Sequence, residues 1–372
     1  MKQMLYRIAS VWKRRGFLRD PAQTKLPLGW NVSGHFEGGV RGVAAASAAF
    51  LEAAKATGLP VALNHPNPYA VNLVTLNTDS VEALAEQHGE GYFAGRCNIG
   101  VWFWETPELP DRLVPCLSRF HELWVTSAFC RDAIAPKCPC PVQLLPYPFT
   151  PPRPDPKLTR AHFGLPNDST LFLTAFDYDS NVYRKNPEGA IRAFAQAFAD
   201  GERGHLAIKT LHAENHPAQA EALRRAASGL PITFIDRTLT PPEQASLLSL
   251  CDAFVSLHRA EGFGLHLLEA LALGKPVIAT NWSGNTEFLS ADNSLPVDFT
   301  LKPLEKTLYP YEAGQLWAEP DIEHAARRIR FVYDFHEAAQ ALGEKARKSI
   351  EQHSVAHTAT IMRSRLEALG LC

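Results

Sequence analysis

The sequence predicts two doubly wound α/β domains, each with a parallel sheet covered by helices on both faces. Short apolar strand-like runs alternate with helical patterns over most of the 372 residues. One proline-dense stretch interrupts that rhythm, and the rhythm restarts after it. Strands that alternate with helices pair in parallel, because each crossover needs a helix to return the chain. The length suits two domains with separate cores.

In the first half, residues 29–33 read as strand one, and the Gly-rich turn 34–42 follows it. An Ala-rich helix is expected over 43–57, then short strands over 60–64 and 71–76. Residues 99–104 form a buried apolar strand and 123–126 another, after which Ser127 caps a helix to about 135. Residues 142–145 end this half. Pro146, Pro148, Pro151, Pro152, Pro154 and Pro156 then forbid helix and central strand alike, which places the domain boundary there.

In the second half, strands are predicted over 170–176, 205–211, 231–235, 253–257 and 276–280. Helices are predicted over 187–199, 217–227, 241–250 and 265–273, three of them with Pro at the first position. Helical patterns close the chain from 320 to 371. The domains expected are a basic segment 1–20, an N-terminal Rossmann-like domain 21–150, a C-terminal Rossmann-like domain 151–350, and a C-terminal helix 351–372 that packs back toward the N-terminal domain. A cleft between the domains is the expected site, since ligands in such sheets bind beyond the carboxyl ends of the strands.

Composition narrows the function classes. A net charge of −2 lacks the broad basic field that nucleic acid binding needs. The seven Cys include no CxxC pair, and Cys138 and Cys140 are too close for a zinc clamp of ordinary spacing, so a reducing compartment is expected. No apolar run reaches the roughly 18 residues of a spanning helix. Residues 1–19 carry Lys2, Arg7, Lys13, Arg14, Arg15 and Arg19 with no acid, and Met4, Leu5, Ile8, Val11 and Trp12 recur at helical spacing. Such a helix either packs on its own domain or lies on an anionic membrane surface.

The chemistry concentrates in the segment that runs from His258 through Glu261, Gly262, Phe263 and Gly264 to Glu269. Gly262 and Gly264 bracket a turn at a strand's carboxyl end, where missing side chains let backbone N–H groups approach a ligand. The helix that follows aims its N-terminal N–H groups at the same place, which suits a phosphate. Glu261 and Glu269 are carboxylates that accept hydrogen bonds from vicinal hydroxyls.

Glu261, seven residues and Glu269, set in EGFGLHLLEALALGKPVIAT, resemble the signature of the family-4 retaining glycosyltransferases of the GT-B fold. Arg184-Lys185-Asn186-Pro187, the stretch Trp282 to Glu287 and Trp317-Ala318-Glu319-Pro320-Asp321 resemble the same family. The resemblance implies that Glu269 holds the donor ribose and Glu261 the transferred sugar. It further implies that backbone at Gly262, Phe263 and Gly264 meets sugar and diphosphate, and that Lys185 neutralises the departing diphosphate without a metal or other cofactor. Arg184 and Lys209 are candidates for a second cation. Asn285 is a candidate donor contact, alongside Glu287. Gly38, Gly39 and Glu105 are candidates for the acceptor side or a phosphate loop; Asn77 and Asp79 are candidates for the acceptor side, with Asp79 reading equally as the cap of a helix that begins at Ser80. His258 reads equally as a structural histidine or a sugar contact.

Two positions depart from the family pattern. Asp179 stands where many members carry Arg, six residues before the Lys, and Trp102-Phe103-Trp104-Glu105 stands where many place a His. The implied enzyme is a metal-independent hexosyltransferase acting from a nucleotide sugar on a glycan or lipid-linked acceptor, in surface polysaccharide synthesis. It is expected to be cytoplasmic or peripheral at the inner membrane face. A phosphorylase on the same fold and a non-catalytic nucleotide-sugar-binding protein are the rival readings. The loop GHFEGGVRG lacks the GxGxxG of a dinucleotide enzyme.

Overall fold

The computed structural model describes residues 20–36, 41–64, 67–76, 79–198 and 202–371. Residues 1–19, the Gly38-Gly39 pair and Asn77 lie outside them. Contacts divide the chain into two compact units: one up to Thr150 together with the segment from Gln352 onward, the other Pro151–Glu351. Each is a six-stranded parallel Rossmann-like sheet flanked by helices.

In the first unit, β1 (Trp30–Ser33), β2 (Val61–Leu63), β3 (Val71–Val74), β4 (Cys97–Val101), β5 (Glu122–Val125) and β6 (Val142–Leu144) stand in the order β2-β1-β3-β4-β5-β6. The strand predicted over 99–104 begins two residues earlier and stops at Val101. Beyond it Trp104 N–H donates at 3.3 Å to Sγ of Cys130, in the helix Ala128–Ile134, and Trp104 Nε1 donates to the Glu108 carbonyl at 3.0 Å. The helix expected from Ser80 starts at Asp79 and runs to His88.

A polar ladder crosses the middle of this otherwise apolar sheet. Parallel register sets Asn31 beside Asn72 and Asn72 beside Asn98. Asn31 Nδ2 donates to Asn72 Oδ1 at 3.0 Å, Asn72 Nδ2 to Asn98 Oδ1 at 2.8 Å, and Asn98 Nδ2 to the Phe93 carbonyl at 2.9 Å. All three are buried. An in-register stack pairs each amide with the next, and a shift of one residue would break every link, so the ladder fixes strand register.

The last helix, Val355–Ala368, belongs to this unit and packs along the helix Arg41–Ala56. Met362 and Leu366 enter the core with Trp30, Phe50 and Trp124. Arg365 Nε meets the buried Glu122 carboxylate at 2.9 Å, and Arg363 Nη1 donates to the Thr57 carbonyl at 2.8 Å. His353, at the start of this return, is 2% exposed. Its carbonyl accepts from Phe149 N–H at 2.6 Å.

In the second unit, β7 (Thr170–Ala175), β8 (Gly204–Thr210), β9 (Ile232–Asp236), β10 (Ala253–Ser256), β11 (Val277–Thr280) and β12 (Leu295–Val297) stand in the order β12-β11-β10-β7-β8-β9. A two-stranded antiparallel pair, β13 (Phe299–Pro303) with β14 (Leu316–Pro320), follows. Helices Pro187–Ala197 and Ile322–Asp334 pack together over Phe172, Ile208 and Val255. The helix Pro241–Leu250 carries a capping box, with Thr240 Oγ1 accepting from Glu243 N–H while the Glu243 carboxylate accepts from Thr240 N–H.

Burial, then the neighbouring His357, holds the His353 imidazole down at about 4. The unfolded chain, near 6.5, therefore binds more protons between those values. The stabilisation is complete above about pH 6.5 and is lost as pH falls toward 4. Chemical denaturation from pH 7 to 4.5 is expected to lose about 1–3 kcal/mol more in the natural protein than in His353→Gln.

Candidate functional site

The order of the second sheet sets β10 against β7 at its centre. The crossovers from these two strands run in opposite directions along the sheet, so their loops part at the carboxyl edge and leave room for a ligand. The loop after β7 carries Arg184 and Lys185, and the loop after β10 carries Glu261.

Glu261 is 8% exposed. Its Oε1 lies 2.5 Å from Lys185 Nζ and its Oε2 lies 3.2 Å from Arg184 Nη1. Burial alone would raise its pKa, but Lys185 and then Arg184 outweigh burial and hold the carboxyl well below the usual carboxylate range. The site therefore contains a buried, ionised carboxylate between two cations from another loop.

Local sequence explains why the cations arrive there. Val182–Lys185 is a single helical turn capped by Asn181, whose Oδ1 accepts from Arg184 N–H at 3.2 Å. Asn186 then takes left-handed backbone at φ 50°, a conformation Asn tolerates better than most residues. Its Oδ1 caps the helix Pro187–Ala197 at Gly189 N–H, and its Nδ2 donates to the Leu257 carbonyl at 2.8 Å, crossing from the β7 loop to the end of β10. Arg184 is also bound to backbone, donating to the Ala260 carbonyl at 2.9 Å and the Ser180 carbonyl at 3.1 Å. The Lys185 side chain, 21% exposed, is the cation of the pair that reaches solvent.

A second loop supports Glu261 from beneath. Ser283 Oγ accepts from Glu261 N–H at 2.7 Å, and Gly284 N–H donates to the Glu261 carbonyl at 2.8 Å. A Cβ on Gly284 would lie 2.1 Å from the Gly262 carbonyl oxygen, so only glycine allows this approach. His258, buried behind it, has its Nε2 facing Asn285 Oδ1 at 3.0 Å and the Trp282 carbonyl at 3.3 Å. Asn285 Nδ2 donates to the Thr280 carbonyl at 2.9 Å, so Oδ1 is an acceptor and His258 Nε2 carries the proton. Nδ1 then accepts from Ser256 Oγ at 3.0 Å. Burial lowers the His258 pKa, so it is a neutral structural histidine.

The other predicted residues are distributed unevenly. Gly264, at φ 94°, heads the helix Leu265–Ala272, which has no side-chain cap. Phe263 buries its ring against Phe288, at 5.0 Å between centroids. Glu269 is not joined to Glu261: among the described residues its carboxylate is held by His266 Nδ1 at 2.9 Å. Lys209 is buried at the end of β8, where Nζ donates to the Thr210 carbonyl. Asn285 is 1% exposed and committed to His258 and Thr280. Glu287 ends the short turn Gly284–Glu287. Asp179 pairs with His216 Nε2 at 2.8 Å. Glu105 belongs to the first unit, half-buried after β4.

Sequence reasoning missed Ser283 and Arg259. Ser283, at φ 74°, orients Glu261 from a backbone region that leaves no trace in residue type. Arg259 forms a two-pronged ion pair with Glu319, at 2.7 and 2.9 Å, and its N–H donates to the Arg184 carbonyl at 2.7 Å. Its place two residues before Glu261, together with the closing Trp317–Asp321 stretch, was the available signal.

Residues 174–349 match the family model described as glycosyl transferases group 1. That match falls within the second unit, and the chain as a whole has the two Rossmann-like units of the GT-B fold. A 114-residue stretch is 33% identical to a GDP-mannose-dependent alpha-(1-6)-phosphatidylinositol dimannoside mannosyltransferase of Mycobacterium tuberculosis, covering 31% of this chain and 29% of that protein. A 144-residue stretch is 24% identical to the sulfoquinovosyl transferase SQD2 of Arabidopsis thaliana, covering 39% of this chain and 25% of that protein. The matches thus span under a third of the length of these curated relatives. Among solved structures, Anabaena HepE in complex with UDP and glucose superposes with a TM-score of 0.68 at 14% identity, over 92% of this chain and 100% of that one. The sucrose-phosphate synthase of Thermosynechococcus elongatus gives 0.61 at 19% identity, over 81% of this chain and 74% of that one.

A double-mutant cycle on Lys185→Met and Glu261→Gln is expected to give a coupling energy of about 1–3 kcal/mol in thermal unfolding. Additivity would show that the pair is not formed. Gly284→Ala is expected to cost about 2–4 kcal/mol, because backbone must move to admit the methyl group.

Proposed function

We propose that the protein transfers a sugar from a nucleoside-diphosphate sugar to an acceptor hydroxyl with retention of anomeric configuration. The observation that carries this is the ionised Glu261 held between Lys185 and Arg184 at the switch point of the second sheet. Glu261 accepts hydrogen bonds from hydroxyls of the transferred sugar, and Glu269 accepts them from the ribose. The open N-terminus of the helix Leu265–Ala272 and the backbone at Gly262 and Gly264 face the diphosphate. Lys185 shares its ammonium group between Glu261 and the diphosphate, where negative charge grows as the glycosidic bond breaks. Arg184, tied to two carbonyls, holds Glu261 in place.

The acceptor oxygen attacks the anomeric carbon from the face the diphosphate leaves. The C–O bond to phosphate breaks, and the departing phosphate oxygen takes the acceptor proton. No protein nucleophile enters this scheme, and Lys185 meets the charge without a metal at that step. Support comes from the family match and from the named relatives, which include a GDP-mannose-dependent enzyme and a structure holding UDP and glucose. The acceptor we propose is a glycan or a lipid-linked sugar in surface polysaccharide assembly. Among the described residues no helix is long and apolar enough to cross a membrane. Contact with the inner membrane face would rest on the basic residues 1–19.

A thermal-shift screen against UDP, GDP and ADP sugars tests the donor. One base is expected to raise the midpoint, by about 2.7 kcal/mol of stabilisation at a hundred times Kd, and Glu269→Ala to abolish the rise. No shift with any nucleotide sugar would sink the reading. With the donor known, Lys185→Ala is expected to lower kcat by about 10²–10³ with a smaller change in KM, and the anomeric proton coupling of the product to report retention.

A further inference from the structure

The loop that carries Lys185 also contributes to a cluster that the transfer scheme does not use. Asp177 and Asp179 lie in the loop after β7, and His212 and His216 in the loop after β8. One oxygen or ring nitrogen from each of Asp177, Asp179 and His212 falls in a group whose atoms all lie within 4.8 Å of one another. His212 Nδ1 is 2.7 Å from Asp177 Oδ1 and 3.3 Å from Asp179 Oδ2. Ligand atoms that share one cation at about 2.0–2.2 Å sit roughly 3–3.5 Å apart, so the 3.3 Å spacing matches a coordination shell and the 2.7 Å hydrogen bond would open by a few tenths of an ångström to admit the ion.

The cluster does not satisfy itself. One ring nitrogen faces two carboxylates and carries at most one proton. Asp177 is 9% exposed, and its Oδ2 is buried without a hydrogen-bond partner among the described residues. A buried carboxylate oxygen with no donor calls for a positive partner. Around this base the site is open: the His212 and Asp179 side chains are 33% and 34% exposed, which gives an ion a way in. Asp179 is steadied from outside by His216 Nε2 at 2.8 Å and by Asn215 Nδ2, as ligating carboxylates commonly are.

We propose that Asp177, Asp179 and His212 bind one divalent cation of the Mn2+ or Zn2+ class, which clips the loop after β7 to the loop after β8. Two carboxylates and an imidazole suit these ions better than Mg2+ or Ca2+, which prefer oxygen alone. The clip acts on the turn that presents the cations of the site. Asp177 caps the short helix Tyr178–Ser180, the Ser180 carbonyl accepts from Arg184, and Lys185 N–H donates to the Asn181 carbonyl at 3.2 Å. The ion is a positioning element and takes no part in bond making. The site is read without any sugar nucleotide, so it stands or falls apart from the transferase reading.

Isothermal titration of the full chain with MnCl2, and separately with ZnSO4, tests the site, with electron paramagnetic resonance reporting bound Mn2+. Asp177→Asn keeps the capping oxygen while removing the charge, and His212→Gln removes the nitrogen. One equivalent of at least one ion is expected to bind saturably, with affinity lowered at least about tenfold in both variants. Cation-free thermal midpoints close to that of the natural protein show that the variants fold, and Asp179→Asn replaces either one that does not. Absence of saturable binding of both ions, or equal affinity in the variants, overturns the proposal.

Discussion

Burying a carboxylate without neutralising it would cost several kcal/mol, and Glu261 is neutralised by cations that belong to a different loop. That constraint organises the whole carboxyl edge of the second sheet. The loop after β7 must hold Arg184 and Lys185 at fixed height, which Asn181 and Asn186 achieve by capping successive turns. The loop after β10 must turn Glu261 inward, which Ser283 and Gly284 enforce through its two backbone groups. Arg259 joins both loops to β14. Each support makes sense once the charge beneath it is recognised.

How much of this was legible follows from what each feature depends on. The alternation of strands and helices exposed the fold, because period and proline placement are local properties. Most strand ends moved by a residue or two. The run 99–104 misled because Phe103 and Trp104 are as apolar as the strand before them, and only contact with Cys130 shows that the strand has ended. The asparagine ladder went unread, since three Asn far apart in sequence become neighbours only through register.

The site was legible in part for the same reason. Glu261 and Lys185 are named by motif, and the fold brings them into contact. Motif does not tell how a cation is divided: Arg184 is bound to carbonyls while Lys185 keeps an exposed end. Nor does it show that Asn285 spends its amide on a buried histidine. Asp179 looked like the loss of a positive charge, whereas its surroundings show a carboxylate gathered with two imidazoles.

The return of residues 352–371 to the first unit carries a consequence for biogenesis. Met362 and Leu366 complete a core whose other members were translated more than two hundred residues earlier. A ribosome therefore releases the second unit with all its strands while the first still lacks its last helix. Until the helix Val355–Ala368 is made, Glu122 has no Arg365 and the face of the Arg41–Ala56 helix stays uncovered. The nascent first unit thus keeps apolar surface exposed for as long as the second unit is being made.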